Sequence, residues 1–239
     1  MESTMTPPER RCENGVVIRV VSLVPSVTET LSAWGVEPVA CTRFCERPDI
    51  AHVGGTKNPD IAAIVGLVPD LVVMDVEENR REDAEALTAA GLEVLALHVD
   101  SLTGLPDQLD RLAGALGVDV PRLGLPEPAP IRLRAVIPIW RRPWMTIGAD
   151  TYGTELLRVI GVANVFADAD RAYPEVTIEE MAARSPDAVL VPSEPYVFTD
   201  EHLTELARVA PAIRVDGQDL FWWGSRTAGA IDRLGRALG

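Results

Sequence analysis

Short apolar runs alternate with helical periods along almost the whole chain, and that alternation is broken once and then restarts. Runs such as Leu71–Met74 and Leu92–His98 are too short for buried helices. They are separated by stretches carrying helix start and stop signals, which is the pattern of parallel α/β units. The break lies where Pro121, Pro126, Pro128 and Pro130 crowd together. Proline lacks the backbone donor that helices and sheets need, so this stretch reads as a linker.

The two sides of the break are alike. Pro69-Asp70-Leu71-Val72-Val73 sits 117 residues before Pro186-Asp187-Ala188-Val189-Leu190, and the same offset superposes Glu77 on Glu194 and Ile61 on Ile178. Thr30–Ala40 resembles Thr154–Phe166, with Gly35 matching Gly161. The expected architecture is α/β: two small parallel-sheet lobes joined by a single connecting helix, with a ligand cleft between them. The boundaries are 14–100 for the N-terminal lobe, 101–130 for the connecting helix and proline-rich linker, and 131–239 for the C-terminal lobe.

Within the first lobe the expected elements are a strand over Val17–Leu23, a helix capped by Ser26 with Glu29 at its third position, and a helix opened by Asn58-Pro59. A helix over about Asn79–Ala90 and a longer one over Ser101–Leu116 come next. The second lobe reads as a strand over Arg134–Ile139, a helix over Thr151–Ile160, a capping box at Thr177–Glu180 and a strand over Ala188–Val191. Helices over Asp200–Arg208 and Ser225–Leu238 complete it.

Composition excludes several classes. Acidic residues outnumber basic ones 36 to 22, for a net charge of −14. Binding to nucleic acid or to an anionic membrane surface needs the opposite balance. Three cysteines, Cys12, Cys41 and Cys45, are too few for a disulfide framework and fit no zinc spacing. His52, His98 and His202 are scattered, no nucleophile elbow or phosphate loop is present, and no metal or catalytic residue is assigned. No stretch approaches a membrane span, and the opening Met1–Arg11 has no apolar signal core, so the chain as written reads as cytoplasmic.

Ligands of open parallel sheets bind beyond the carboxyl ends of the strands. In the first lobe that selects Pro25, Ser26, Arg43, Phe44, Cys45, Lys57, Asn58, Asp75, Glu77 and Glu78. In the second it selects Trp140, Arg141, Arg142, Trp144, Tyr152, Glu194, Tyr196, Trp222, Trp223 and Arg226. Aromatic residues make up 5% of the chain, and ten of the twelve lie after the linker, mostly in these loops. Flat rings suit a large planar or amphipathic ligand, and guanidinium forks suit its polar edges. The plainer reading is that the rings plug the second lobe and the arginines pair with surplus carboxylates. Arg141-Arg142 between two tryptophans is the favoured ligand contact. Cys45 is read as a buried thiol, or as a ligand to a soft metal if its loop opens to the cleft.

Val21-Ser22-Leu23-Val24-Pro25-Ser26-Val27-Thr28-Glu29, His52-Val53-Gly54-Gly55-Thr56-Lys57-Asn58-Pro59, Pro69–Val72 and Ser185–Val189 resemble the cobalamin and ferric-siderophore binding proteins of ABC importers, the helical-backbone metal receptors. The resemblance spans about Val17 to Leu238 and is nearest the cobalamin branch. It implies a non-enzymatic protein that binds a corrinoid or related metal chelate and requires no cofactor, and the acidic balance already argues against a nucleic-acid partner. The resemblance also implies that Phe44, Cys45, Asp75–Glu78, Trp140–Trp144 and Trp222–Arg226 line the site. Members dock on a permease through one glutamate per lobe; Glu179 stands at that position in the second lobe, and Arg81 with neighbouring Glu82 in the first. Two further readings stay open: an exported importer receptor whose leader is missing from the sequence, and a tetrapyrrole-modifying enzyme or chelatase using Glu77, Glu78 or Glu194 as base.

Overall fold

A computed structural model describes residues 18–239. Cys12, the opening segment and the first residue of the expected first strand, Val17, lie outside the described residues. The chain divides into two compact units. One runs to Leu97 and takes in Asp110–Pro121; the other comprises His98–Leu109 and Arg122–Gly239. The segment read as a connector, 101–130, is thus divided between them.

The first unit contains β1 (Val20–Ser22), α1 (Pro25–Ala33), β2 (Ala40–Cys41), β3 (Ala51–His52), β4 (Gly54–Gly55) and β5 (Asn58–Pro59). It continues through α2 (Ile61–Gly66), β6 (Leu71–Asp75), α3 (Arg81–Ala89) and β7 (Val94–Leu97). Its sheet is parallel throughout, in the order β3-β2-β1-β6-β7. β6 is buried at all five positions, as a central strand covered on both faces must be. Val21, Leu23, Ala40, Ile64, Val72, Met74 and Leu87 form its core. The expected Ser101–Leu116 helix begins later, as α4 (Leu105–Leu116), and residues 118–132 carry no helix or strand.

The second unit contains β8 (Leu133–Val136), β9 (Pro138–Trp140), β10 (Trp144–Thr146), α5 (Tyr152–Val159), β11 (Val162–Asn164) and β12 (Glu175–Val176). Then come α6 (Ile178–Ala183), β13 (Ala188–Pro192), α7 (Asp200–Leu206), β14 (Ala212–Val215), α8 (Gly217–Phe221) and α9 (Thr227–Ala237). The main sheet, again parallel, runs β11-β8-β13-β14. The expected strand over Arg134–Ile139 is interrupted at Ile137. Beyond it β9 joins an antiparallel sheet, β12-β10-β9, that the sequence pattern does not reveal.

The internal repeat extends to side chains. β6 and β13 are equivalent under the 117-residue offset, and so are α2 and α6. Val68 and Ser185, at matching positions, both take left-handed backbone, φ 47° and 49°. Asp70 accepts a hydrogen bond from the Arg19 backbone at 2.7 Å, while the Arg19 guanidinium donates to Leu67 O. Asp187 accepts from the Arg134 backbone at 2.8 Å, and the Arg134 guanidinium donates to the carbonyls of Arg184 and Ser185. The strand order β2-β1-β6-β7 corresponds to β11-β8-β13-β14.

Besides α4, and α3, which starts at Arg81 where about Asn79 is expected, helix starts differ from the sequence reading at α1, α2 and α9. Val24 caps α1 because Pro25, preset for the first helical turn, displaces Ser26 into the helix, where it is buried. Asp60 caps α2, accepting from Ala63 N at 3.0 Å, because Asn58-Pro59 pairs with Gly54-Gly55 as a hairpin. Arg226, not Ser225, precedes α9. The Thr177–Glu180 capping box forms as expected.

Candidate functional site

In the first unit four segments lie beyond strand carboxyl ends. Val24-Pro25 leaves β1, Thr42–Cys45 leaves β2, the β4–β5 hairpin comes after β3, and Val76–Asn79 leaves β6. Asn79 ties three of them together. Its amide donates to Leu23 O at 3.1 Å and Thr56 O at 2.9 Å, and its carbonyl accepts from Asp75 N at 2.8 Å. Asp75 is buried and turned inward, accepting from the backbone of Glu77 and Glu78. It therefore shapes the loop from below, contrary to its expected place against a ligand.

The outer surface of this rim is carried by Arg43, Phe44, Lys57, Asn58, Glu77 and Glu78, all exposed, with Pro25 half-buried. Phe44 is 49% exposed, and the Arg43 guanidinium lies 4.7 Å from its ring centre. Lys57 donates to Glu77 O. Gly55 underlies the group: a Cβ there would stand 2.7 Å from Asn58 Oδ1 and 3.0 Å from the Phe44 ring. Gly54 is required for a second reason, φ 91°, which L side chains rarely adopt. Cys45 is 5% exposed beneath this surface, with Thr28 and Thr42 hydroxyls at 3.2 and 3.1 Å from its sulfur. The plainer expectation of a buried thiol is the one the structure shows.

The second unit's rim is built from rings and ion pairs. Trp140, 45% exposed, ends β9 and meets Tyr196 edge to face at 5.0 Å. Tyr196 rests on buried Phe198 and on His202. Trp144 stacks on Phe198 within the core and donates its indole N–H to Glu205. Glu205 also accepts from Arg141 Nε and Nη2, at 3.0–3.2 Å, and Arg141 lies over the Trp144 ring. The favoured ligand arginine is thus committed to a carboxylate of its own unit, and Trp144 is core. Arg142, next in sequence and at φ 75°, is exposed.

Trp222 forms a second wall. Half-buried, it donates its indole N–H to Glu194 Oε1 at 2.6 Å, and Arg226 lies 5.4 Å from its ring centre. Arg226 and Arg233 both bond buried Asp219, which their charges and hydrogen bonds hold below the usual carboxylate range, Arg233 most strongly. Gly217 allows the Glu194 turn to close on α8, since a Cβ would fall 2.6 Å from Glu194 N. Tyr152 and Trp223 are buried, contrary to expectation. The Tyr152 hydroxyl bonds Thr227 at 2.9 Å, and burial raises its pKa.

Sequence reasoning misses Glu205, Asp219, Asn79 and Thr28. Glu205 is met from 61 and 64 residues away, Asn79 bonds backbone, Thr28 meets Cys45 seventeen residues on, and Asp219 meets arginines seven and fourteen residues on, and none of these spacings forms a local motif. Among the described residues no group of three or more His, Cys, Asp and Glu side chains is arranged to hold a metal ion, and no helix is long and apolar enough to cross a membrane.

Residues 20–119 match the model of a family described as periplasmic binding protein. The vitamin B12-binding protein of Salmonella choleraesuis is 27% identical over 190 residues, spanning 72% of this chain and 71% of the relative. That of Vibrio vulnificus is 28% identical over 194 residues, spanning 72% and 70%. Over these spans the chain is similar to periplasmic binding proteins and to vitamin B12-binding proteins. The fold agrees. The periplasmic vitamin B12-binding protein BtuF of Vibrio cholerae superposes with a TM-score of 0.72 at 19% identity, covering 92% of this chain and 96% of BtuF. The periplasmic heme-binding protein RhuT of Roseiflexus superposes at 0.74 with 20% identity, covering 93% and 98%. The matching family and these relatives are described as binding proteins, which supports the binding reading over the tetrapyrrole-modifying one. Both of these solved neighbours are periplasmic proteins, and the cytoplasmic expectation finds no support in them.

Proposed function

We propose that this protein binds a corrinoid, at residues exposed on the strand-end rims of its units. The observation that carries the proposal is the pair of exposed Trp140, at the end of β9, and half-buried Tyr196, just beyond β13, with exposed Arg142 two residues along the chain from Trp140. Ring faces supply apolar area for a planar macrocycle, and a guanidinium supplies donors to the amide oxygens at its edge. The vitamin B12-binding relatives support the corrinoid over other chelates. In the second unit the contacts are Trp140, Arg142, Tyr196 and Trp222, with Glu194 and Arg226 holding Trp222 in place. In the first they are Arg43, Phe44, Lys57 and Asn58, with Glu77 and Glu78 beside them.

Heme is the second reading, favoured by the fold of the heme-binding neighbours. Titration of the purified protein with cyanocobalamin, cobinamide, hemin and a ferric siderophore, monitored by tryptophan fluorescence and calorimetry, separates the readings. A corrinoid saturates at one equivalent, and Trp140→Ala with Tyr196→Ala weakens it by about 30-fold, the equivalent of about 2 kcal/mol. Saturation by hemin alone, with a Soret shift, overturns the corrinoid reading.

The periplasmic location of the vitamin B12-binding and heme-binding neighbours supports an exported receptor that hands its ligand to an ABC permease. Glu179 and Glu82, both exposed in the first turn of a short helix, are the proposed docking carboxylates. They are not equivalent under the internal repeat, which pairs Glu179 with Ala62. Fractionation of cells expressing the full gene places the protein, and recovery in the cytosol alone excludes the receptor role.

A further inference from the structure

His202 makes no ligand contact in the corrinoid reading, yet it backs the ring pair that carries it. It is the third residue of α7, half-buried, and its Nδ1 accepts from the backbone N–H of Thr199 at 3.1 Å. That bond is the returning half of a capping box, a place that Glu or Gln ordinarily fills. Three rings meet the imidazole, with centres at 5.7 Å for Tyr196, 6.0 Å for Phe198 and 6.2 Å for Trp144. Phe198 and Trp144 are core, whereas Tyr196 is the ring that meets exposed Trp140. One side chain thus closes the backbone at Thr199 and supports the wall at Tyr196.

A nitrogen that accepts a hydrogen bond carries no proton, so the bond from Thr199 exists in one tautomer of the neutral imidazole, with the proton on Nε2. A second proton can enter only at Nδ1, where it sets a donor against the Thr199 N–H. The charged groups around the ring are Asp200, Glu201 and Glu205 on its own helix and Arg141 over Trp144 of β10. The segment from Tyr196 to Thr199 brings only the Tyr196 hydroxyl. Asp200 is paired with Arg214 and Glu205 with Arg141, each at 3.0 Å. Carboxylates, guanidinium groups and phenols ordinarily keep their charge between about pH 8 and about pH 5, the interval in which an imidazole changes its own.

We propose that His202 is a positioning residue for the ligand wall and that only its neutral form serves. Protonation opens the Thr199 bond, loosens the segment from Tyr196 to Thr199 and takes the support from the Trp140–Tyr196 pair. The loss of corrinoid affinity on acidification rests on the corrinoid reading; the opening of the segment does not. His52 and His98, the other two imidazoles of the chain, stand outside this ring cluster. His52 bonds Arg47 O in the first unit, and His98 lies 3.8 Å from Asp100.

Two readouts on the full chain test this, with circular dichroism confirming the fold at about pH 8 and about pH 5. In calorimetric titration with cyanocobalamin the wild-type affinity falls about 5-fold at the lower pH, the worth of one lost cap. His202→Gln keeps an acceptor at this position with no proton to gain, so its affinity is the same at both. A wild-type affinity that does not change, or an equal fall in His202→Gln, overturns the proposal. The second readout needs neither ligand nor variant: amide hydrogen exchange over residues 196–199, each rate divided by that of the unfolded peptide at the same pH. Protection falls on acidification in the wild type, and protection unchanged by pH overturns the proposal. Cyanocobalamin that binds at neither pH defeats the corrinoid reading alone, and the exchange result then decides for His202.

Discussion

The two units share strand order, a left-handed residue before β6 and β13, and an arginine–aspartate clamp at the start of β1 and β8, yet their rims are made differently. The first unit's rim is drawn together through backbone: Asn79 bridges three segments, and Gly54-Gly55 brings a hairpin under Phe44. The second rim is assembled from side chains: Trp140 meets Tyr196, which stands on Phe198, and Trp222 stands on Glu194 and on the Arg226 that Asp219 holds. The repeated body sets where the strands end. The loops beyond those ends are shaped independently of it, by glycine and amide on one side and by rings and ion pairs on the other.

The largest expected effect falls on the side-chain rim. Asp219→Asn leaves Arg226 and Arg233 without their shared carboxylate, and the cost is about 3 kcal/mol, read by urea unfolding monitored at Trp222. Because the folded protein holds this carboxylate below its ordinary pKa, its contribution is complete above about pH 4 and is lost as pH falls through the depressed folded value. The gap between wild type and variant closes on acidification. A gap that is constant with pH breaks the electrostatic account.

Gly54→Ala and Gly217→Ala compare the two rims directly, and each costs about 2 kcal/mol in the melting of its own unit. A Cβ at Gly54 meets Asn58 O at 2.6 Å, and one at Gly217 meets Glu194 N at 2.6 Å. Gly217→Ala additionally weakens corrinoid binding, through Glu194 and Trp222. Equal ligand affinity in that variant removes Glu194 as the support of the tryptophan wall.

The clamps sharpen the shared half of the comparison. Asp70→Ala and Asp187→Ala each lose one backbone hydrogen bond of the same length class, at about 1 kcal/mol apiece. Costs that differ by more than a factor of two mark divergence in the body as well as in the rims. The smallest effect is Val68→Gly, which relieves a β-branched residue at φ 47° and raises stability by about 0.5 kcal/mol by calorimetry. At Ser185, not β-branched, the same change yields less.

Strands β6 and β13, helices α2 and α6, and the Thr177 capping box are legible because each is written in consecutive residues. The start of α1 reads two positions off, Ser26 for Val24 as its cap, because Pro25 outranks Ser26 at a helix start. Asn58 reads as a cap, but Gly54-Gly55 makes it a hairpin partner before it can become one. At the site, sequence groups the loops at the strand ends but does not say which face of each loop is outward. Arg141 and Arg142 are identical in type and adjacent. Glu205, 64 residues away, takes the first and leaves the second exposed.

The sequence by itself determined the duplication, the α/β grammar and the loops available to a ligand, since periodicity, proline and glycine act over a few residues. Only the tertiary structure decided which rings are wall and which are core, and which arginines are committed to carboxylates. Burial and ion pairing are settled by neighbours distant in the chain, and no local pattern encodes their approach.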